Sequence, residues 1–121
     1  MAKSAMSITI QGTDEVKRKL AKMSKRMKSD IGNALYLSGI LTEKNIKRLT
    51  PVQTGRLRSS IHTKRFGNEA VKVGTDVEYG PHVEWGTVRM QGRRMFHKGL
   101  NQSKPAIRKI VSKAMKKATR T

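Results

Sequence analysis

The sequence predicts an α+β fold: a long N-terminal helix, a small antiparallel β-sheet and a C-terminal amphipathic helix. Three observations support this prediction. Apolar residues recur at three- and four-residue steps from Asp14 to about Leu49, and again after Ser103. Between these regions, apolar and polar residues alternate as they do in strands. Glycine-containing turns separate the alternating runs.

Length and composition limit what the chain can be. Its 121 residues suffice for a single domain, 1–121, of which we expect residues 1–5 to be disordered. The hydrophobic fraction is 36% and the aromatic fraction 4%, so the core must be thin or completed by a partner. Lys and Arg number 27 against 8 Asp and Glu, a formal charge of +19. Such a charge attracts polyanions or acidic protein surfaces, although a solvated basic surface is an equal alternative.

Several classes of site are excluded or disfavoured by residue usage. The chain has no cysteine, so it has no disulfide, no cysteine metal site and no thiol nucleophile. This fits a reducing cytoplasm. We expect neither a signal peptide nor a membrane span, because no apolar run is long enough for either.

The N-terminal part reads as a short strand followed by a long helical arm. Ile8 and Ile10 alternate with polar neighbours, and Thr13 is a plausible N-cap for a helix from Asp14. One unbroken helix to Leu49 would be about 50 Å long. We therefore expect a kink or an interruption in this arm, at Ser29–Gly32.

The stretch Thr50–Ile61 (TPVQTGRLRSSI) is a hinge between this helix and the sheet. Pro51 ends the helix, and Gly55 can form a sharp turn. The alternation that begins at Leu57 predicts a strand over 57–66. Gly67 and Asn68 then form a tight turn into a second strand over 70–78.

The remaining region predicts a third strand, a loop and a helix. Residues 77–87 read as extended chain with a turn at Gly80-Pro81 and a strand around Val83 and Trp85. Residues 88–99 have little periodicity, which predicts a long loop. Ser103 can cap the C-terminal helix, with Pro105 in its first turn.

Catalytic or metal chemistry has little support. His62, His82 and His97 lie in separate segments without a carboxylate cluster, so each is better explained as a surface or packing residue. Glu84 stands out between two apolar residues, but a salt bridge explains it better than a role as a base. We therefore expect no enzyme activity, no cofactor and no metal.

Nucleic-acid binding is the alternative function. The basic helical faces could grip phosphates without reading sequence. The chain would then be a small, basic, non-sequence-specific nucleic-acid-binding protein. However, the few aromatic residues are not interleaved with arginines, and no helix-turn-helix pattern is present.

Three longer stretches and one short step between the first two resemble, in order, the elements of one tailed-phage family. TPVQTGRLRSSI at 50–61 resembles its TPxDTGxLRxSI element, and YGPHVEWGT at 79–87 resembles its YAxYVEFGT element. RMFHKGL at 94–100 resembles its RPFLRPAL element, and Val73-Gly74-Thr75 resembles its VGT step. The chain is thus similar to the tail-component, tail-completion or neck proteins of lambdoid siphophages. It departs from them at Gln53, Met95 and Gly99, and in its high charge.

The resemblance implies a structural virion protein that forms a ring at the head–tail junction. The ring would join the head connector to the tail tube, with genomic DNA passing through it. A hexamer would match a tail tube, which we favour, and a dodecamer would match a portal. The implied location is the virion neck or tail, and the host cytoplasm during assembly.

Two sets of residues follow from this interpretation. We expect Glu84 to pair with Arg56 or Arg58, fixing the hinge to the later strand. The structural or assembly set comprises Thr50, Pro51, Thr54, Gly55, Arg56, Leu57, Arg58, Tyr79, Glu84, Trp85, Gly86 and Thr87. The candidate contacts to another subunit or to DNA are Arg89, Arg93, Arg94 and Phe96.

Overall fold

The computed structural model describes residues 6–11, 14–51, 55–87, 90–92 and 94–119. It confirms the predicted α+β class, with a long helix, a small antiparallel sheet and a C-terminal helix. The elements are β1 (Met6–Gln11), α1 (Asp14–Ala21), α2 (Lys25–Leu49), α3 (Gly55–Ser60), β2 (His62–Phe66), β3 (Ala70–Thr75), α4 (Gly80–Trp85), β4 (Gly86–Thr87), β5 (Met90–Gln91) and α5 (Met95–Thr119).

The main sheet has the order β1-β3-β2, with both pairs antiparallel. Ile8 lies opposite Val73, and Ile10 lies opposite Val71, so apolar side chains share one face. α2 packs against this sheet and also against α5. Polar residues alternate on the outer face, which gives the one-sided burial typical of a small antiparallel sheet.

The helical arm is interrupted, as expected, but the break lies earlier than predicted. α1 ends at Ala21 and α2 begins at Lys25, where the Ser24 hydroxyl accepts a hydrogen bond from the Met27 N–H at 3.3 Å. Gly32, which suggested the break, lies inside α2. A Cβ there would collide with Arg65 and Asn68, so this glycine permits close packing of the β2–β3 hairpin.

The predicted hairpin turn is confirmed, but the predicted strand over 57–66 is wrong in its first half. Gly67 has φ 60°, as a tight turn after β2 requires. Residues 55–60 form the short helix α3, and β2 begins only at His62. Leu57 and Ile61 are four residues apart, a spacing that serves one helical turn as well as alternate strand positions, and both are buried.

The third predicted strand is a helix. Gly80–Trp85 forms α4, with Pro81 in its first turn, where a missing N–H costs nothing. The preceding strand β3 ends at Thr75 rather than near residue 78. The Thr75 hydroxyl accepts a hydrogen bond from the Val77 N–H at 3.1 Å and so stabilises the exit from the strand.

The predicted loop over 88–99 is wrong from Met95 onward, and the predicted helix start at Ser103 is also wrong. Residues 88, 89 and 93 of that loop lie outside the described residues. β5 pairs with β4, and α5 already begins at Met95. Ser103 is buried inside this helix, where its hydroxyl donates to the Gly99 carbonyl at 2.7 Å. Pro105 lies inside the helix as well, on its exposed side.

The core lies where α2, the sheet and the start of α5 meet. A second, smaller cluster joins Leu20 of α1 and Ile31 of α2 to the end of α5. The main cluster consists of Ile46, Leu57, Ile61, Val73, Val77, Val83, Met95 and Phe96.

Candidate assembly surface

α2 ends at a buried C-cap residue, Thr50, followed by a half-buried Pro51. The Thr50 hydroxyl donates to the Ile46 carbonyl at 2.7 Å, and its N–H donates to the Lys47 carbonyl at 3.1 Å. Thr54 lies outside the described residues, and so does Gln53, one of the departures from the family pattern. The hinge therefore anchors the end of α2 before the chain enters α3.

α3 contains four residues of the predicted set, of which one is buried and three are exposed. Gly55 is the first residue of this helix, and Leu57 is completely buried in the main core cluster. Arg56 and Arg58 are exposed. The two arginines thus belong to the surface of the hinge, whereas Leu57 attaches it to the interior.

Glu84 is buried, with 1% of its surface exposed, and caps the N-terminus of α5. Its Oε1 accepts a hydrogen bond from the Phe96 N–H at 2.7 Å, and its Oε2 accepts one from the His97 N–H at 3.3 Å. First-turn amides have no partner within their own helix, and the helix dipole favours an anion beside them. A carboxylate from α4 thus caps α5 in the way that a Ser, Thr or Asp side chain at the N-cap position usually caps its own helix.

Arg94, not Arg56 or Arg58, is the cation beside Glu84. Its Nε lies 3.9 Å from Glu84 Oε2, which makes an ion pair but is too long for a hydrogen bond. The guanidinium also stacks over the ring of Trp85, with its carbon 4.3 Å from the ring centroid. The predicted pairing of Glu84 with the hinge arginines is therefore wrong.

The backbone joins the same two residues. Arg94 donates its N–H to the Glu84 carbonyl at 2.9 Å, and its own carbonyl accepts the first helical bond, from Lys98, at 2.9 Å. Arg94 holds a left-handed φ of 54°, which is uncommon for a residue other than glycine. The end of α4 and the start of α5 are thereby fixed to each other.

The structure gathers the predicted residues of 79–87 and 94–96 around this junction. Tyr79 packs against the main core, and Phe96 is buried, so Phe96 is not a surface contact. Gly86 ends α4 and begins β4, and Thr87 follows it in that strand. Arg89 and Arg93 lie outside the described residues.

The outer face of α2 is an apolar surface that sequence reasoning missed. Tyr36, Leu37 and Ile40 are 39%, 59% and 39% exposed. We call these three residues the α2 surface. Residue size gives a partial signal of this surface in the sequence, since the buried face of α2 combines Ile31, Leu35 and Ile46 with several small residues. The face turned to the sheet and α5 carries small residues that allow close packing: Gly32, Ala34, Ser38, Gly39 and Thr42.

The basic charge is concentrated at the end of the chain. All eight acidic residues lie between Asp14 and Glu84, so the sequence after Glu84 contains none. The exposed basic residues of α5 are Lys98, Lys104, Arg108, Lys109, Lys113, Lys116 and Lys117.

Two absences concern the described residues only. Among them, no three His, Asp or Glu residues come together as a metal site would require. In the same ranges, no helix is both long enough and apolar enough to cross a membrane.

Comparison with known proteins identifies a family. The model of the family described as "Bacteriophage HK97-gp10, putative tail-component" matches residues 14–86, more than half of the chain. No curated protein and no solved structure matches the chain. The matched range includes the hinge and most of 79–87. The chain therefore belongs to the HK97-gp10-like family of phage tail components.

Proposed function

We propose that this protein is a structural component of the phage neck. It forms a ring that joins the head connector to the tail tube, and genomic DNA passes through the ring. The ring assembles in the host cytoplasm and remains in the virion. This role requires binding surfaces and a stable protomer but no catalysis.

The α2 surface is the observation that carries this proposal. Leu37 is 59% exposed on a helix whose other face packs against the sheet and α5, and Tyr36 and Ile40 flank it. Contiguous exposed apolar side chains mark protein–protein contacts more often than free surface. In a chain of charge +19, an apolar surface is also where two copies can meet with little repulsion.

A closed ring needs two different contact surfaces on each subunit, because its contacts run head to tail. Trp85 supplies an apolar candidate for the second surface. It is 60% exposed and held against Arg94, so its ring loses little freedom when a neighbour covers it. We propose six subunits, because a tail tube is sixfold.

Leu37→Asp should abolish ring assembly while leaving the protomer folded. Burying a leucine contributes about 1.5–3 kcal/mol, so each subunit contact should weaken by about tenfold or more. Native mass spectrometry of the protein mixed with its connector and tail-tube proteins measures the assembly. The wild type should give a sixfold complex, and the variant should give none.

Ser29→Asp is the matched control, since it makes the same charge change at an exposed position of the same helix. It should assemble like the wild type. Wild-type protein that stays monomeric with both partners present would contradict the proposed function. Normal assembly of Leu37→Asp would remove the α2 surface from it.

A second candidate function is non-specific nucleic-acid binding. α5 has seven exposed basic residues and no acidic one, and Phe66 is exposed between Lys64 and Lys72, 5.6 and 5.4 Å from its ring centroid. If this is the main function, affinity for duplex DNA should fall steeply with salt, because each phosphate contact releases a counterion. Titrations at several salt concentrations measure this slope. Weak binding at physiological salt would argue against it.

A further inference from the structure

The C-terminal half of α5 carries an apolar line that the rest of the protein covers only in part. Ile107, Val111 and Met115 follow one another at four-residue steps, so they lie along one side of the helix. All three are half-buried, whereas Met95 and Phe96 at the start of the same helix are buried. Apolar surface therefore stays accessible along the second half of α5.

This line forms one wall of an open groove of about 540 Å³. Leu20 of α1 and Ile31 and Leu35 of α2 line it as well, and all three are buried. Ile10 places the end of β1, an edge strand of the sheet, beside the same groove. The volume lies within the range of about 300–1,000 Å³ that is typical of binding pockets.

The rim of the groove on the α5 side is basic. Arg108 and Lys116 are exposed and follow directly after Ile107 and Met115, so they run parallel to the apolar line. They are eight residues, or about 12 Å, apart along the helix. Glu69 is the one carboxylate among the described residues that line the groove. The groove is thus apolar at its base and positively charged along α5.

We propose that this groove binds an acidic amphipathic helix of a partner protein. Its apolar residues, at helical spacing, would contact the groove, and its carboxylates would face Arg108 and Lys116. The groove is distinct from the α2 surface, so this proposal does not rest on ring formation.

The chain itself does not supply such a helix. No described helix has an acidic face, and the segments outside the described residues contain no Asp or Glu. A second copy would also bring its own charge of +19 to a basic rim. Charge complementarity therefore favours a different protein as the occupant.

A designed peptide tests the proposal. It has about four helical turns, with leucines on one face and glutamates on the other. Fluorescence anisotropy with the full chain should show binding, and replacing the leucines with serines should weaken it by about tenfold or more. Arg108→Glu/Lys116→Glu should also weaken it by about tenfold, after circular dichroism has shown that the variant is folded.

Lys109→Glu/Lys117→Glu is the matched control. It makes the same charge change at the same spacing on exposed residues of α5 that do not line the groove. It should change affinity by less than about threefold. Absence of peptide binding, equal binding of the serine peptide, or equal losses in both variants would overturn the proposal. Duplex DNA that displaces the peptide and depends on the rim pair would also overturn it, in favour of a phosphate ligand.

Discussion

Replacing Glu84 with alanine should lower the free energy of unfolding by on the order of 3–5 kcal/mol, because two hydrogen bonds to a buried carboxylate are lost and each contributes about 1.5–3 kcal/mol. The substitution leaves the Phe96 and His97 N–H groups at the start of α5 without their acceptor. It also leaves the buried Nε of Arg94 beside an empty space instead of a carboxylate. Urea denaturation, followed by circular dichroism, measures the loss as a lower midpoint.

Two further variants separate the cap from the ion pair. Glu84→Gln keeps one oxygen acceptor but no charge, so its loss should be intermediate. Glu78→Ala removes an exposed carboxylate nearby and should change stability by no more than about 0.5 kcal/mol. Equal stability of Glu84→Ala and Glu78→Ala would refute the capping role.

The pairing with Arg94 is tested by a double-mutant cycle. Arg94→Ala should cost less than Glu84→Ala, because both backbone hydrogen bonds to the carboxylate remain. The effects of Glu84→Ala and Arg94→Ala should not add, since the two side chains are in contact. Strict additivity would show that the carboxylate acts on the helix amides alone.

Gly99→Val should destabilise the protein by about 3 kcal/mol, at the upper end of what overpacking costs. A Cβ at Gly99 would lie 2.5 Å from Ile46 Cγ1 and 3.0 Å from the backbone nitrogen and Cα of Ile46. The Ile46 side chain can rotate, but the backbone of α2 cannot move away without separating the two helices. A better helix former therefore destabilises the fold at this position.

Gly55→Val is the control for that substitution. At Gly55 an added Cβ meets nothing within 4 Å, so the change should lie within about 0.5 kcal/mol of wild type. Denaturation midpoints of the two variants give the comparison. Equal midpoints would contradict the close crossing of α2 and α5.

The long helices were predictable, because their periodicity extends over many residues. The short elements were not. The spacing of Leu57 and Ile61 fits both a strand and one turn of helix. The segment forms a helix because both side chains must enter the same core. Gly80-Pro81 indicated a turn and instead begins α4. In each case packing decides between two local conformations that the sequence permits equally.

The start of α5 could not be predicted from the residues next to it, because the residue that caps this helix is distant in sequence. No Ser, Thr, Asp or Asn precedes Met95 directly. Ser103, eight residues later, has the sequence features of an N-cap but is not one. The true cap is Glu84, ten residues before Arg94 in sequence. Which arginine would approach Glu84 was equally undetermined, because arginines occur both in the hinge and before α5.

The resemblance located the candidate residues better than it described their roles. The 79–87 and 94–100 elements do meet, at the junction of α4 and α5, but as a structural joint with Phe96 buried. The α2 surface lies outside all three sequence elements. Its signal in the sequence is that large apolar residues of α2 alternate with small ones.

The measurement that tests the central claim most directly is cryo-electron microscopy of intact phage particles, focused on the neck. We predict density for a ring of this protein between the head connector and the tail tube, with α2 surfaces covered by neighbouring subunits. Particles in which the protein is absent, or lies along the tube or at its far end, would contradict the neck assignment.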